Sequence, residues 1–451
     1  MNNENNVIFK KLVKGYTENN FKSTVNDILT ENNMNTKTLQ NIISSLCGVK
    51  CVLEGDFYEN LNSCIENYLS NSPSNIKIVE KIKSCSMDCI EDGKTVCQKS
   101  CPFNAIDIDL FNHTTYINLN KCTDCGFCVE ACPTNSIIDK IEFLPLLSLL
   151  KENASVIAVV APAISGQFGE NTNLNKLRTA FKKLGFKDMI EVAFFADMLT
   201  IKEAVEFSHH VKEKEDFLIT SCCCPMWVAM LKRVYSDLVK HVSPSVSPMI
   251  AAGRVLKKIN PDCKIVFIGP CIAKKAEAKE KDLAGNIDFV LTFAELKDIF
   301  DSLDIHPENL SENDTIEYAS ECGRLYAREG GVSTAVTNVI KELFPGKYDF
   351  LSTINASGVK ECKELLRKIG SKETTANFIE GMGCIGGCVG GPKALIPTEI
   401  GKSAVDNAAA SSDIKIPTKS LCMEAILNKI DINSKVDFMD ERKTSIFYRE
   451  F

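Results

Sequence analysis

The chain has 451 residues, 52 of them basic and 59 acidic for a formal net charge of −7, and it holds 21 cysteines. A length that predicts about three domains of ~100–200 residues buries sizeable cores without covalent staples, so disulfides are not needed, and the acidic balance excludes a nucleic-acid surface. MNNENNVIFKK at the start lacks the basic-then-apolar pattern of a signal peptide, and FLPLLSLL (143–150) and VIAVVAPAI (156–164) fall well short of the ~18 apolar residues of a membrane span. The expectation is a cytoplasmic protein, off the membrane, whose thiols bind metal or do redox work.

In chain order, residues 1–75 show apolar positions at helical spacing (Leu39, Ile42, Ile43, Leu46), predicting a small helical segment that carries Cys47, Cys51 and Cys64. Residues 76–140 change character: eight cysteines fall between 85 and 132, and CPFNAI (101–106) returns as CPTNSI (132–137), implying a pseudo-symmetric small domain. From 141 onward, apolar β-branched runs (155–160, 263–269, 287–292) alternate with amphipathic stretches such as 174–185 and 294–303. That alternation predicts an α/β domain with mostly parallel sheets. The residues from about 412 are polar and predicted to be a peripheral tail.

CTDCGFCVEACP (122–133) has the spacing Cys-x2-Cys-x2-Cys-x3-Cys-Pro. Three such thiolates wrap one cubane and the fourth, before Pro, ligates the partner cluster. By this logic Cys85, Cys89, Cys97 and Cys132 hold one [4Fe-4S] cluster, and Cys122, Cys125, Cys128 and Cys101 hold the other. The segment resembles a two-cluster bacterial-type ferredoxin module with a lengthened first loop. A zinc ribbon is the competing reading, but structural zinc uses two Cys pairs set far apart, without a third Cys at once.

Three further cysteine islands follow: TSCCCPMW (220–227), IGPCIAKKAE (268–277) and EGMGCIGGCVGGP (380–392). Six glycines among residues 381–391 contradict a stability role, since each Gly in a regular element costs ~0.5–1 kcal/mol. They predict close approach of backbone to a bulky ligand. Cys384 and Cys388 would share a face if helical. The literal G-x-G-x-x-G at Gly381, Gly383 and Gly386 is set aside as a dinucleotide site, because no β-branched strand is seen to feed it and thiols occupy its interior.

The three islands, in this order, resemble the signature sequences of the [FeFe]-hydrogenases, with similarity from about residue 80 to about 395; AVVAPAI (158–164) and GRLYAREGGV (323–332) resemble secondary motifs. The resemblance implies an α/β catalytic domain (141–451) of two lobes of mostly parallel twisted sheets with flanking helices. It adds a small α+β ferredoxin-like domain and the helical N-terminal segment. Between the lobes it implies an H-cluster, a [4Fe-4S] cube joined to a two-iron unit with CO, cyanide and a bridging azadithiolate. The cube's implied ligands are Cys224, Cys271, Cys384 and Cys388, the last bridging to the two-iron unit. Lys274 would donate to a cyanide, backbone at Ala161 and Pro162 would cradle another, and Met382 would wall the two-iron unit. Cys223 matches the thiol that passes protons to the bridging amine, a role suited to an unperturbed pKa of about 8.5.

Beyond Cys223 the family uses a Ser and two Glu. Ser243 matches by its distance from Ser247-Pro248; Glu203 and Glu206 have the right mutual spacing but begin one residue early, and a solvated helix face is the equal alternative. Three departures lie close to the implied site: Cys222 where Ser is usual, Gly269 where Met is usual, and Met249 where Gln is common. The implied partners are a small acidic electron carrier (ferredoxin or flavodoxin) and maturation proteins that insert the two-iron unit.

IKIVEKIK (76–83) is locally basic and is a candidate docking site for that carrier, with a solvated face as the alternative. His209 and His210 are adjacent, diverging by ~100° on a helix, so they make a poor metal site. Two other classes compete with the enzyme: a non-enzymatic iron–sulfur assembly protein, whose members usually lack counterparts of Cys223 and Lys274, and a hydrogen sensor, which needs a signalling domain for which the residues after 395 are expected to be too few.

Overall fold

The computed structural model describes residues 3–70, 77–152, 154–213, 215–315 and 318–451. The expected boundary at 75/76, and the first residue of the basic stretch 76–83, lie outside the described residues. Four helices, Asn3–Thr17, Phe21–Glu31, Thr36–Leu46 and Phe57–Glu66, form the N-terminal segment. Asn35 and Asp56 cap the last two by accepting the Thr38 and Glu59 amides, as Asn and Asp do before a helix. Leu39, Ile42, Ile43 and Leu46 are all buried, the predicted apolar stripe. Their core is continuous with that of the large domain. Lys10 pairs with Asp301 at 2.8 Å and Tyr16 meets Ser148 Oγ at 2.6 Å.

The cysteine-rich region closes on itself. Val79–Lys81 pairs antiparallel with Ile137–Asp139, and Ile106–Asp109 pairs with Thr114–Ile117. The lengthened first loop is a small hairpin, Ile90–Glu91 against Lys94–Thr95. It turns at Asp92-Gly93, both with positive φ (50° and 74°), the Asp-Gly signal of a type I′ turn. The repeat is structural as well as sequential. Asn104 and Asn135 both sit in the left-handed region (φ 49° and 50°), which Asn tolerates. Each lets the next amide turn back: Ala105 N–H donates to Cys101 Sγ at 3.2 Å and Ser136 N–H to Cys132 Sγ at 3.3 Å.

The large domain holds two parallel sheets. The first runs in the order Phe289–Thr292, Lys264–Gly269, Val156–Val160, Asp188–Glu191, and the second in the order Thr353–Ser357, Phe378–Met382, Leu218–Ile219. Three of the first sheet's strands were legible as β-branched runs; the second sheet, short and glycine-containing, was not. Helix Ala193–His210 carries buried side chains around nearly its whole circumference, as a helix in a core must. The residues after 412 are not peripheral. Phe447 is fully buried, Tyr448 bridges to Ser245, and Arg449 pairs with Glu280 at 2.7 Å; isolated apolar residues anchor an otherwise polar segment. No helix among the described residues is long and apolar enough to cross a membrane.

Candidate iron–sulfur centres

Cys85, Cys89, Cys97 and Cys132 line one cavity of about 330 Å³, and Cys101, Cys122, Cys125 and Cys128 line a second. Among the described residues no three Cys, His, Asp or Glu side chains converge closely enough to hold a single metal ion. Four thiols ringing one space suit a cubane. Thr123 lines the second cavity, with its hydroxyl directed at the Cys125 thiol. Lys77 and Lys81 of the basic stretch turn inward. Lys77 pairs with Asp124 at 3.3 Å and Lys81 Nζ lies 3.2 Å from Cys85 Sγ. Burial raises the Cys85 thiol, but Lys81 and the Thr115 amide outweigh it and bring it to about 7. These two lysines, both part-exposed, are engaged beside the cluster cavities.

All three islands emerge from carboxyl ends of parallel strands. Val160 and Ile268 are in register, so Ala161-Pro162 and Pro270-Cys271 leave side by side, with Ala161 N–H donating to Ile268 O at 2.8 Å. The chain departs in opposite directions from these two strands, the switch point where open α/β sheets bind ligands. In the second sheet Leu218–Ile219 leads into Thr220–Cys224, and Phe378–Met382 into Gly383-Cys384. A strand therefore does feed the G-x-G-x-x-G, but Gly381 lies inside it and no helix follows before Thr398, so no phosphate-binding turn forms. Nor is 384–388 helical; it turns twice before a short 3-10 segment, Cys388–Gly390. Shared helical facing therefore does not explain the pair.

Cys224, Cys271, Cys384 and Cys388 lie within electrostatic range of one another. Burial, reinforced by the neighbouring thiols, pushes Cys271 up to about 11, Cys388 to about 12 and Cys384 well above its ordinary value. Such thiols surrender their protons only to a cationic centre, so ligation must release protons. Gly383 N–H donates to Cys224 Sγ at 3.2 Å. Ser221, with φ 68° and a buried, unpartnered hydroxyl, holds the strained bend before the three thiols.

Most island glycines have a cause other than the expected ligand. A Cβ at Gly381 would sit 2.3 Å from Trp227 Cε3, and one at Gly387 would sit 2.6 Å from the Glu329 nitrogen. The islands are packed backbone to backbone. Trp227 Nε1 donates to Thr220 O at 2.9 Å, closing TSCCCPMW on itself, while its indole packs against Gly381 of EGMGC. Gly269 is also steric: its Cβ would lie 2.6 Å from Phe267 Cε1.

Lys274 is buried, with Nζ 2.5 Å from Glu277 Oε2. Burial disfavours its charge, yet Glu277, Cys223 and Cys271 together raise its pKa. Met382 is buried at the end of its strand, and Ala161 lies at the mouth of the switch point. Lys275, one residue on, faces the other way and is fully buried against Asp139, at 2.8 Å, and Glu295. Lys393 joins Asp139 and Glu130. This network ties the cysteine-rich region to the large domain. Gly126 approaches Ile272 so closely that a Cβ would lie 2.4 Å from Ile272 Cδ1. Cys125 thereby comes within electrostatic range of Cys384.

The carboxylates on helix Ala193–His210 are not a solvated face. Glu203 is 3% exposed and accepts the Thr220 hydroxyl. Ser243 Oγ donates to Glu206 Oε2 at 2.6 Å and meets Ser245 Oγ at 2.8 Å, while Lys202 Nζ donates to Ser245 Oγ at 3.0 Å and pairs with Glu206. Lys202 and Ser245 complete a closed polar ring that sequence reasoning missed; a Lys in a helix reads as solvent-facing without tertiary context. Cys222 is buried and donates to Ser243 O at 2.9 Å. Cys223 is part-buried, and burial, with Cys388 and Cys224 adjacent, holds its thiol well above the usual value; Glu203 and Lys274 are also in range. Tyr326, likewise missed, accepts the Thr200 hydroxyl at 2.9 Å beside Glu203 and Cys223.

Two parallel sheets delivering cysteine islands to one place, joined to a double four-cysteine module, define an iron–sulfur oxidoreductase architecture. Residues 154–392 match the family described as iron only hydrogenase large subunit, C-terminal domain, and residues 115–138 match a 4Fe-4S binding domain. The chain belongs to the iron-only hydrogenase large-subunit family. It is 27% identical over 323 residues to the NADP-reducing hydrogenase subunit HndD of Solidesulfovibrio fructosivorans, covering 60% of this chain and 55% of that subunit's length. It is 27% identical over 396 residues to iron hydrogenase 1 of Clostridium pasteurianum, covering 67% and 69%. A cytosolic Fe-S cluster assembly factor of Schizosaccharomyces japonicus is 21% identical over 311 residues, covering 58% of each. A solved structure of [FeFe]-hydrogenase HydA1 from Chlamydomonas reinhardtii shares the fold, with a TM-score of 0.56 at 22% identity, covering 68% of this chain and 98% of that one.

Proposed function

We propose that this chain is an [FeFe]-hydrogenase, catalysing 2H⁺ + 2e⁻ ⇌ H₂. Cys224, Cys271, Cys384 and Cys388 would hold the cube of an H-cluster, whose two-iron unit supplies the chemistry of making and splitting H₂. The observation that carries this reading is the convergence on one place of the four part-buried thiols, Cys223 and the buried ammonium of Lys274. A plain electron-relay protein needs neither a proton-carrying thiol nor a buried cation there.

Lys274 presents a charge-assisted donor to an anionic ligand. Ala161 and Pro162 bring backbone to the switch point, and Met382 closes one side with apolar, polarizable surface. Cys223 exchanges protons at the site, and Glu203, Ser243 and Glu206 carry them towards solvent. The two four-cysteine cavities would hold [4Fe-4S] relays, the one with Cys125 nearer the site, taking electrons from or giving them to a small acidic carrier of the ferredoxin or flavodoxin type.

The family's assembly-factor members make a second reading, in which cubanes are carried without H₂ chemistry. One experiment separates the two. The protein reconstituted with iron and sulfide and loaded with a synthetic two-iron cofactor should evolve H₂ from a reduced low-potential dye and show CO and cyanide infrared bands. Absence of bands after loading sinks the enzyme reading. Cys223→Ser should keep the bands and lose most turnover; a fully active Ser variant removes Cys223 from the proton route.

A further inference from the structure

The polar ring of Lys202, Glu206, Ser243 and Ser245 has an outer side. A cleft of about 860 Å³ opens there, with Lys202 and Glu206 in its wall together with His209, His210 and His241. The chain has five histidines, and three of them face this one cleft. His209 and His210 are exposed and end helix Ala193–His210 one turn beyond Glu206, whose carbonyl lies 3.1 Å from His210 Nδ1. His241 comes from a different element and stacks on Phe217, ring centroids 4.1 Å apart. Glu206 reaches both sides: its side chain is 12% exposed on the cleft, and it accepts Ser243 at 2.6 Å within the ring.

These histidines do not form a metal site, since no such convergence occurs among the described residues. Imidazole is, however, the side chain whose unperturbed pKa lies between pH 5 and 8. The charges facing the cleft are mixed: Lys202, Lys240 and Arg449 oppose the imidazolium form, while Glu206, Asp216, Glu441 and Glu450 favour it. Burial and Lys240 hold His241 below its ordinary value. The cleft therefore gathers three imidazoles around one part-buried carboxylate that reaches the polar ring.

We infer that this cleft is the proton-collecting mouth of the enzyme, where His209, His210 and His241 exchange protons with external buffer and pass them through cleft water to Glu206. In the H₂-evolving direction an imidazolium gives its ring proton to water as that water gives one to the Glu206 carboxylate. The neutral imidazole is then reprotonated by buffer; H₂ uptake runs the same exchange in reverse. The inference rests on the hydrogenase reading and adds the residues that couple it to solvent.

The test uses the full chain, cluster-reconstituted and cofactor-loaded, as parent and as the triple variant H209Q/H210Q/H241Q. In dilute buffer the variant should lose turnover several-fold, and added imidazole or concentrated buffer should restore it. Parent-like turnover at every buffer strength overturns the proposal. So does a loss that buffer does not restore, which marks a structural effect. A second arm needs no turnover: the histidine ring resonances of the cofactor-free chain are titrated with and without Glu206→Gln. The cleft histidines should shift their midpoints while His113 and His306 hold theirs; unmoved cleft midpoints also overturn the proposal. A parent that makes no H₂ refutes the hydrogenase reading instead, and the titration arm alone then decides the coupling.

Discussion

Glu203→Gln separates what the buried carboxyl does to stability from what it does to proton transfer. Burial, reinforced by Glu206 and Glu380 and opposed by the Thr220 hydroxyl and Lys202, lifts Glu203 from 4.5 to about 8. Between those values the unfolded carboxyl is ionised while the folded one keeps its proton. A raised carboxyl pKa therefore removes stability as pH rises through this window, by up to ~1.4 kcal/mol per pH unit. Relaxation and water entry reduce the full shift, leaving about 2–4 kcal/mol at pH 8. Glutamine still accepts from Thr220 and does not titrate, so the variant should match the parent near pH 4.5 and exceed it by that amount at pH 8. Trp227, the single tryptophan, bonds the Thr220 carbonyl, so its fluorescence during thermal unfolding reports this region directly. The two midpoints should diverge by several degrees as pH rises. Parallel pH profiles would refute the burial argument. Turnover of the loaded variant should fall by ~10²-fold or more, the scale of a lost positioned proton carrier.

Ser243→Ala removes the 2.6 Å bond to Glu206 and should cut turnover by ~10²-fold while leaving the infrared bands unchanged, with partial recovery in Ser243→Thr. Unaltered turnover excludes the hydroxyl from the route. Lys275→Met strips the shared cation from Asp139 and Glu295 and should cost ~3–5 kcal/mol in denaturant unfolding. A loss below ~1 kcal/mol would show that the network is not an anchor between the cysteine-rich region and the large domain. Gly381→Ala forces a methyl to 2.3 Å from Trp227 and should destabilise by ~1–3 kcal/mol with a red-shifted tryptophan emission. An unchanged emission maximum and midpoint would mean the indole is not held where the structure places it.

Chemistry that depends on spacing along the chain was legible in the sequence. The division of eight thiols into two sets of four follows from Cys-x2-Cys-x2-Cys-x3-Cys-Pro and its variant copy, because a fourth cysteine locked before Pro points away from its own triad; the two cavities have that division. The β-branched strands of the first sheet and the N-terminal helices were equally plain, since their periodicities are local. The proposed proton-relay residues were half legible. The i, i+3 spacing of Glu203 and Glu206 was visible, but only packing distinguishes a buried helix from a solvated one when its apolar residues surround the whole helix.

What the sequence by itself determined is therefore the grouping of the cysteines and the family, both written as residue types at short, fixed separations. Tertiary structure alone decided how the cysteines become a site. It brought islands up to 160 residues apart, such as Cys224 and Cys384, to the carboxyl ends of two parallel sheets. It buried Lys275 between Asp139 and Glu295, set Lys77 and Lys81 beside the cluster cavities, and folded the polar C-terminal residues against Ser245. It also assigned the island glycines to backbone packing against Trp227 and Glu329. The physical reason is range: ligand spacing is a property of one short segment, whereas burial, ion pairing and close backbone approach depend on which distant segments meet.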